Sequence, residues 1–298
     1  MELHPEPWPS ELIERVKEIV ALPGEFECDP SPTVRAEIAR RLDRLNEENA
    51  NASNKKNHPA VSLPAVLSLM RHSQRERREK RAAYLDKHPE VVERVKERYR
   101  AGESILTLAR ELDAPPLALF KRLMLALKTN VPVWEMPARD HQQRADARLH
   151  DCTQWPERRL LHEEALRFED RVAEALSALG VEYAREAEQR ERGSRNTPDF
   201  LLPHLTEVHV GAKPIQIRWV DAKAYFGTRA DLAEIGDQLE RYARVHGPGL
   251  VVFRFGYDPA LQEHLEAQLQ PKTRRKSKRK NKSSKKKTQN EIHLAWLD

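Results

Sequence analysis

Residues 215–223 read IQIRWVDAK, an apolar run that closes on an acid and a base, Asp221 and Lys223. The β-branched and aromatic content predicts a strand, and on a strand two residues two apart point to the same side. Opposite charges on one side of a core strand are costly unless they are paired or bound to a metal. This strand therefore needs a body that is buried and an end that opens into a polar site.

The surrounding pattern supplies the body. Residues 157–179 form an amphipathic helix, with Leu161, Ala165, Phe168, Val172, Leu176 and Leu179 on one side and Gly180 as its stop. Strand-like pieces follow at 181–187, 197–202, 206–210 and 215–223, then a helix at 231–246 and a strand at 250–256. The segment 291–298 alternates and is expected to return as an edge strand. This order predicts an α/β core. Residues 1–134 read as helical instead. Leu12, Val16, Ile19 and Val20 make one stripe; Val34, Ile38, Leu42 and Leu45 make another behind Ser31-Pro32. The stretch 46–58 reads as a solvated loop, and a further helix runs from Leu63 to about Asp86. Within 89–128 two helices and a third are separated by short breaks, the outline of a helix-turn-helix, or equally of a three-helix packing unit. Its last helix offers Lys121, Arg122 and Lys128 as basic side chains. Residues 135–156 are expected to be an irregular connector.

Two further acids fit the polar site. Asp199 follows Pro198 at the opening of an apolar strand, and Glu169 lies beside Phe168 at the edge of the helix stripe. Asp199, Asp221 and Glu169, with the carbonyl of Ala222, are hard oxygen donors suited to Mg²⁺ or Mn²⁺. Such an ion activates water and offsets charge on a phosphate. Lys223 would orient the water or stabilise the transition state. On the next helix Gln238 and Tyr242, four apart, share a face; the alternative is simple packing of Tyr242 with Leu239 and Ile235. Tyr225, Phe226 and Gly227 read as a strand end turning on glycine. His204, His209 and His246 never reach zinc-pair spacing.

A helix glutamate, a Pro-Asp opening a strand and an Asp-x-Lys closing another is a layout that resembles the PD-(D/E)xK nucleases. The Gln238–Tyr242 pair is similar to one found in their RecB-like branch. More specifically, TPDFLL (197–202), WVDAKAYFG (219–227) and GPGLVVFRFGY (247–257) resemble the TPD-motif family, which includes a codanin-interacting nuclease of animals. The resemblance covers about 160–257, with support from the helical unit at 89–128. It implies an α/β restriction-endonuclease-like core at 157–298, a mixed sheet flanked by helices, behind an all-α N-terminal region. It also implies Mg²⁺-dependent hydrolysis of DNA or another structured nucleic acid, leaving 5′-phosphate and 3′-hydroxyl ends. Asp199 and Asp221 become metal ligands, Lys223 the catalytic lysine and Glu169 the helix carboxylate, with Glu186 as a second acidic candidate. A nuclear or nucleocytoplasmic protein with a codanin-like partner is implied as well.

Charge complicates this reading. The run 271–287 holds 11 Lys/Arg and no acid, and without it 41 basic residues face 47 acidic ones. The body is mildly acidic, so attraction to phosphate must come from a local patch or from this run. The run itself reads as a disordered, solvated insert that could serve nuclear import or bind nucleic acid non-specifically. Two cysteines, Cys28 and Cys152, exclude a disulfide scaffold and predict a reducing compartment. No apolar run long enough for a membrane span and no signal-peptide pattern is seen. The rival to an enzyme is a non-catalytic scaffold that keeps the nuclease fold to bind a codanin-like protein.

Overall fold

The computed structural model describes residues 3–22, 25–27, 29–51, 60–129, 131–151, 158–269 and 291–297. The basic run 271–287, both cysteines and residues 52–59 lie outside these. The chain divides into two compact units, Glu14–Arg158, and Met1–Ile13 together with Arg159–Asp298.

In the helical unit, α1 (Ser10–Val20), α2 (Pro32–Asn51) and α3 (Leu63–Lys87) precede α4 (Pro89–Arg100), α5 (Ile105–Glu111), α6 (Pro116–Leu127) and α7 (Ala138–Leu149). Proline opens α2, α4 and α6, where its fixed φ suits the first turn and its missing N–H costs nothing. Ser62 and Ser104 cap α3 and α5 by accepting from the N–H three residues on. Three helices do occupy 89–128, but α6 buries Pro116 through Phe120, Leu123 and Met124. Its Arg122 is held by Asp86 at 2.6 Å and donates to the carbonyls of Ala82 and Ala118 at 2.9 Å. Lys121 and Lys128 stay exposed. Residues 135–156 are not irregular throughout, since α7 fills most of them. It docks through Asp140, which accepts from the Tyr99 hydroxyl at 2.7 Å, and Gln143, which accepts from Ile105 N–H at 2.6 Å. Only Ala147 of α7 is buried, so an apolar period had nothing to register. Of the loop expected at 46–58, residues 46–51 are helical, because α2 continues to Asn51, and the rest lies outside the described residues.

The other unit contains α8 (Arg158–Ala178), β1 (Ala184–Arg185), α9 (Glu186–Glu191), β2 (Phe200–Val210), β3 (Lys213–Lys223), α10 (Leu232–His246), β4 (Gly249–Phe253), α11 (Pro259–Leu269) and β5 (Ile292–Trp296). The sheet order is β1-β2-β3-β4-β5. β1–β2 and β2–β3 are antiparallel, β3–β4 and β4–β5 parallel, so this is a mixed α/β sheet with β5 at its edge as expected. Gly180, at φ 69°, ends α8 with Val181 N–H returning to Leu176. One layer packs Phe168, Val172 and Leu176 of α8 against Phe200, Val220, Leu250 and Val252. The opposite layer packs Leu239 and Tyr242 of α10 and Leu261 and Leu265 of α11 against Trp219, Val251 and Phe253.

Four differences from expectation stand out. The strand expected at 181–187 is two residues long, because EAEQRE is built of helix formers with acids at its first turn. The pieces expected at 197–202 and 206–210 merge into one strand that starts at Phe200, whose pairing to β3 slips between Leu201 and Thr206 and so alternates faces irregularly. The strand expected at 250–256 stops at Phe253, and α11 was unheralded. Finally, residues 1–13 group with the sheet rather than with the helical region expected at 1–134. His4 and Trp296 exchange two N–H···O bonds of 3.0 Å, covering the outer side of β5, and Trp8 packs edge-on to Phe226 at 4.8 Å. Among the described residues no helix is long and apolar enough to cross a membrane.

Candidate active site

At the end of β3 the side chains of Trp219, Asp221 and Lys223 leave on the side of the sheet that α10 covers, and Val220 faces α8. Asp221 is 1% exposed and Lys223 14%, and Asp221 Oδ2 lies 2.5 Å from Lys223 Nζ. That oxygen has no aligned hydrogen-bond donor among the described residues, so its compensation is ionic. Asp199 arrives from the lead into β2, its Oδ2 accepting from the main-chain N–H of Ala222 at 2.7 Å. Burial, and next the charge on Asp221, push the Asp199 carboxyl up to about 8, against the pull of Lys223 and the Ala222 N–H. Burial by itself would lower Lys223, but the charges of Asp221 and Asp199 outweigh it and raise the ammonium above its usual range. Two carboxyls and a lysine thus share one buried corner.

The other predicted residues stand further back. Glu169, on α8, has its pKa raised by burial first and then by Glu186, with Asp221 and Lys223 felt more weakly. Glu186 opens α9, accepts from the Thr197 hydroxyl at 3.0 Å and pairs with Arg190 at 2.6 Å. Gln238 donates to the Tyr242 hydroxyl at 2.7 Å, and that hydroxyl donates to the Thr197 carbonyl at 2.9 Å. Tyr242 also meets Trp219 edge-on at 5.5 Å, and burial raises its pKa, so it remains a donor. Packing and polar contact are therefore both true of Tyr242.

Three residues were not foreseen: Thr197 itself, Gln189 and His246. Gln189 donates to the carbonyls of Pro198 and Ala184 at 2.8 and 2.9 Å, and the His246 ring bonds the Asn196 carbonyl at 2.8 Å. Nothing local in EAEQRE or in RYARVH marks these contacts.

The corner is suited to a hard cation. A buried aspartate balanced by a single lysine and a second carboxyl forced toward neutrality are both relieved by added positive charge. Among the described residues, however, no three His, Cys, Asp or Glu side chains converge into a ready-made cluster. The donor set close at hand is Asp199, Asp221 and the main chain of Ala222, with Glu169 in electrostatic range.

Residues 140–272 match the family described as a protein of unknown function with the TPD sequence-motif. The protein named CDAN1-interacting nuclease 1 of Danio rerio is 28% identical over 222 residues, 65% of this chain and 72% of that protein. Its namesake in Bos taurus is 27% identical over 236 residues, 68% of this chain and 79% of its own. An uncharacterized protein, L539, of Acanthamoeba polyphaga mimivirus is 32% identical over 98 residues, 32% of this chain and 36% of its own. No solved structure matches.

Proposed function

Taking residues 140–272 as a domain of the TPD sequence-motif family, we propose that this protein is a divalent-metal-dependent nuclease of the PD-(D/E)xK superfamily, acting on DNA or another structured nucleic acid. The observation that carries the proposal is the buried Asp221–Lys223 pair at the end of β3, with Asp199 tied to the same turn of chain through Ala222 N–H. The relatives' printed names support the reaction class. In this reading Asp199, Asp221, Glu169 and the Ala222 carbonyl hold Mg²⁺ or Mn²⁺. When bound, such an ion would offset charge growing on the phosphate and make water a stronger nucleophile.

The chain's own groups then divide the work. Asp199 would be ionised in the loaded site, since a cation there would offset the repulsion that favours its protonated form. Lys223 stays charged between them and can donate a hydrogen bond to a phosphate oxygen or to the attacking water. The apolar layer of Trp219, Leu239 and Phe253 under the pair keeps bulk water from screening it. We extend the relatives' named partnership to this chain as a codanin-like partner, and place the protein in the nucleus, with 271–287 as an import signal.

The test is cleavage of labelled duplex, single-stranded and branched DNA with Mg²⁺ or Mn²⁺, beside Asp221→Ala. Cleavage that disappears in the variant is expected. No cleavage together with no metal binding by calorimetry would overturn the enzyme and leave the scaffold.

A further inference from the structure

The three residues before Asp199 are held in an unusual way. β1 ends at Arg185, opposite Phe200, and the chain turns into α9, so the segment that carries Asp199 has no strand on that side. Its main-chain carbonyls still need partners. Each receives a different side chain. His246 Nε2 donates to Asn196 O at 2.8 Å, the Tyr242 hydroxyl to Thr197 O at 2.9 Å and Gln189 Nε2 to Pro198 O at 2.8 Å. Because a carbonyl only accepts, His246 Nε2 must carry a proton. Two of these donors come from α10 and one from α9, and the Ser194 hydroxyl adds a longer bond of 3.4 Å to Asn196 O. Gln189 is 2% exposed and Tyr242 5%, so their two bonds are made away from water, whereas His246 and Asn196 are half-buried.

On its other side the segment meets β3. The last pair there is Phe200–Val220; one step further Asp199 and Asp221 face each other across the strands. Like charges in that relation repel, and the Ala222 N–H goes to the Asp199 side chain in place of a continuing ladder. Left alone, Asp199 would swing away from Asp221. We propose that Gln189, Tyr242 and His246 are positioning residues, a carbonyl latch that holds Asp199 against Asp221 so that both carboxylates can serve one cation. Gln238 supports the latch through the Tyr242 hydroxyl. The inference rests on the reading of Asp199 as a metal ligand, but the latch is a property of the chain by itself. It also gives the tyrosine, glutamine and threonine around the Pro-Asp turn one shared task.

The test uses the full chain and three single variants, Tyr242→Phe, Gln189→Leu and His246→Leu, with His246→Gln as a rescue that restores a side-chain N–H. Residue-resolved amide hydrogen exchange, without metal, reads the Ala222 N–H directly. Each latch variant should speed Ala222 exchange about ten-fold, with Val251 on the neighbouring strand unchanged, and His246→Gln should return toward the parent rate. Mn²⁺ titration of the same proteins should show affinity weakened by about 10- to 100-fold. Unchanged Ala222 exchange, or equal acceleration across the whole sheet, would overturn the latch. Faster Ala222 exchange in a chain whose parent binds no Mn²⁺ would sustain the latch and remove the metal reading instead.

Discussion

Replacing Asp199 by asparagine removes a charge and keeps the shape, so it isolates the electrostatic cost of the site. The amide oxygen can still accept from Ala222 N–H, as Asp199 Oδ2 does at 2.7 Å. In the parent the carboxyl is raised from 3.8 to about 8 by burial and by Asp221, with Glu169 adding to the rise and Lys223 opposing it. The sign follows from proton counting. Between these two values the folded chain holds a proton that the unfolded chain has released, so stability falls as pH rises through that window and is level above it. Each pH unit in the window costs about 1.4 kcal/mol, which caps the loss at roughly 6 kcal/mol; side-chain relaxation brings the expectation to about 2–4 kcal/mol. Urea unfolding of the chelator-treated protein should therefore find Asp199→Asn more stable than the parent near pH 9, with the gap closing toward about pH 4. Mg²⁺ at a hundred times the parent's Kd should close most of that gap, since the parent gains about 2.7 kcal/mol and the variant, having lost a ligand, gains less. Parallel stability curves for parent and variant across this range would refute the account of the site as two opposed carboxyls.

The other predictions concern what surrounds that corner. Lys223→Met leaves Asp221 buried without its counter-charge and should cost about 3–5 kcal/mol, most of it recovered when Asp221→Asn is added; a double-mutant cycle in urea measures the coupling. At Gly249 a Cβ would sit 2.0 Å from the Trp219 ring, so Gly249→Ala should destabilise by about 1–3 kcal/mol and shift the tryptophan fluorescence of the folded state. Trp8 is 4% exposed and donates its main-chain N–H to Tyr257 O at 3.0 Å; Trp8→Ala should cost about 3–5 kcal/mol by thermal melting, and an unchanged melt would detach residues 1–13 from the sheet unit.

Asp221 and Lys223 were legible in the sequence because a strand's period of two is short-range: the apolar run and two charges at its end suffice to place both on one side. Glu169 was legible as a helix position, but not its distance from the aspartates, which depends on how α8 crosses the sheet. The latch was illegible for a related reason. A carbonyl is a group every residue has, so no composition or spacing announces that Tyr242, His246 and Gln189 will find three in a row. His246 reads as an isolated histidine until α10 is packed. The helix α7 and the stub of β1 failed a periodicity reading because too few of their side chains are buried. The joining of residues 3–8 to β5 rests on contacts across nearly the whole chain, which no local pattern encodes.

The site is costly to the fold, and its surroundings answer that cost directly. A carboxyl with its pKa lifted to about 8, a fully buried aspartate and a lysine only 14% exposed would each favour an open, solvated arrangement. Opposing this, Trp219 is wholly buried under the pair, its Nε1 donating to Gly247 O at 2.9 Å and its ring braced on Tyr242. Tyr242 in turn holds Thr197, so the ring that braces Trp219 and the hydroxyl that steadies the approach to Asp199 belong to one residue. Removing the ring and removing the hydroxyl should consequently separate: Tyr242→Ala lowers global stability by several kcal/mol as a large buried side chain is lost, whereas Tyr242→Phe leaves the melt within about 1 kcal/mol of the parent and loosens only the Ala222 amide. If the two substitutions destabilise the protein equally, the hydroxyl matters to the fold at large, and the division between a rigid floor and a held carboxylate fails.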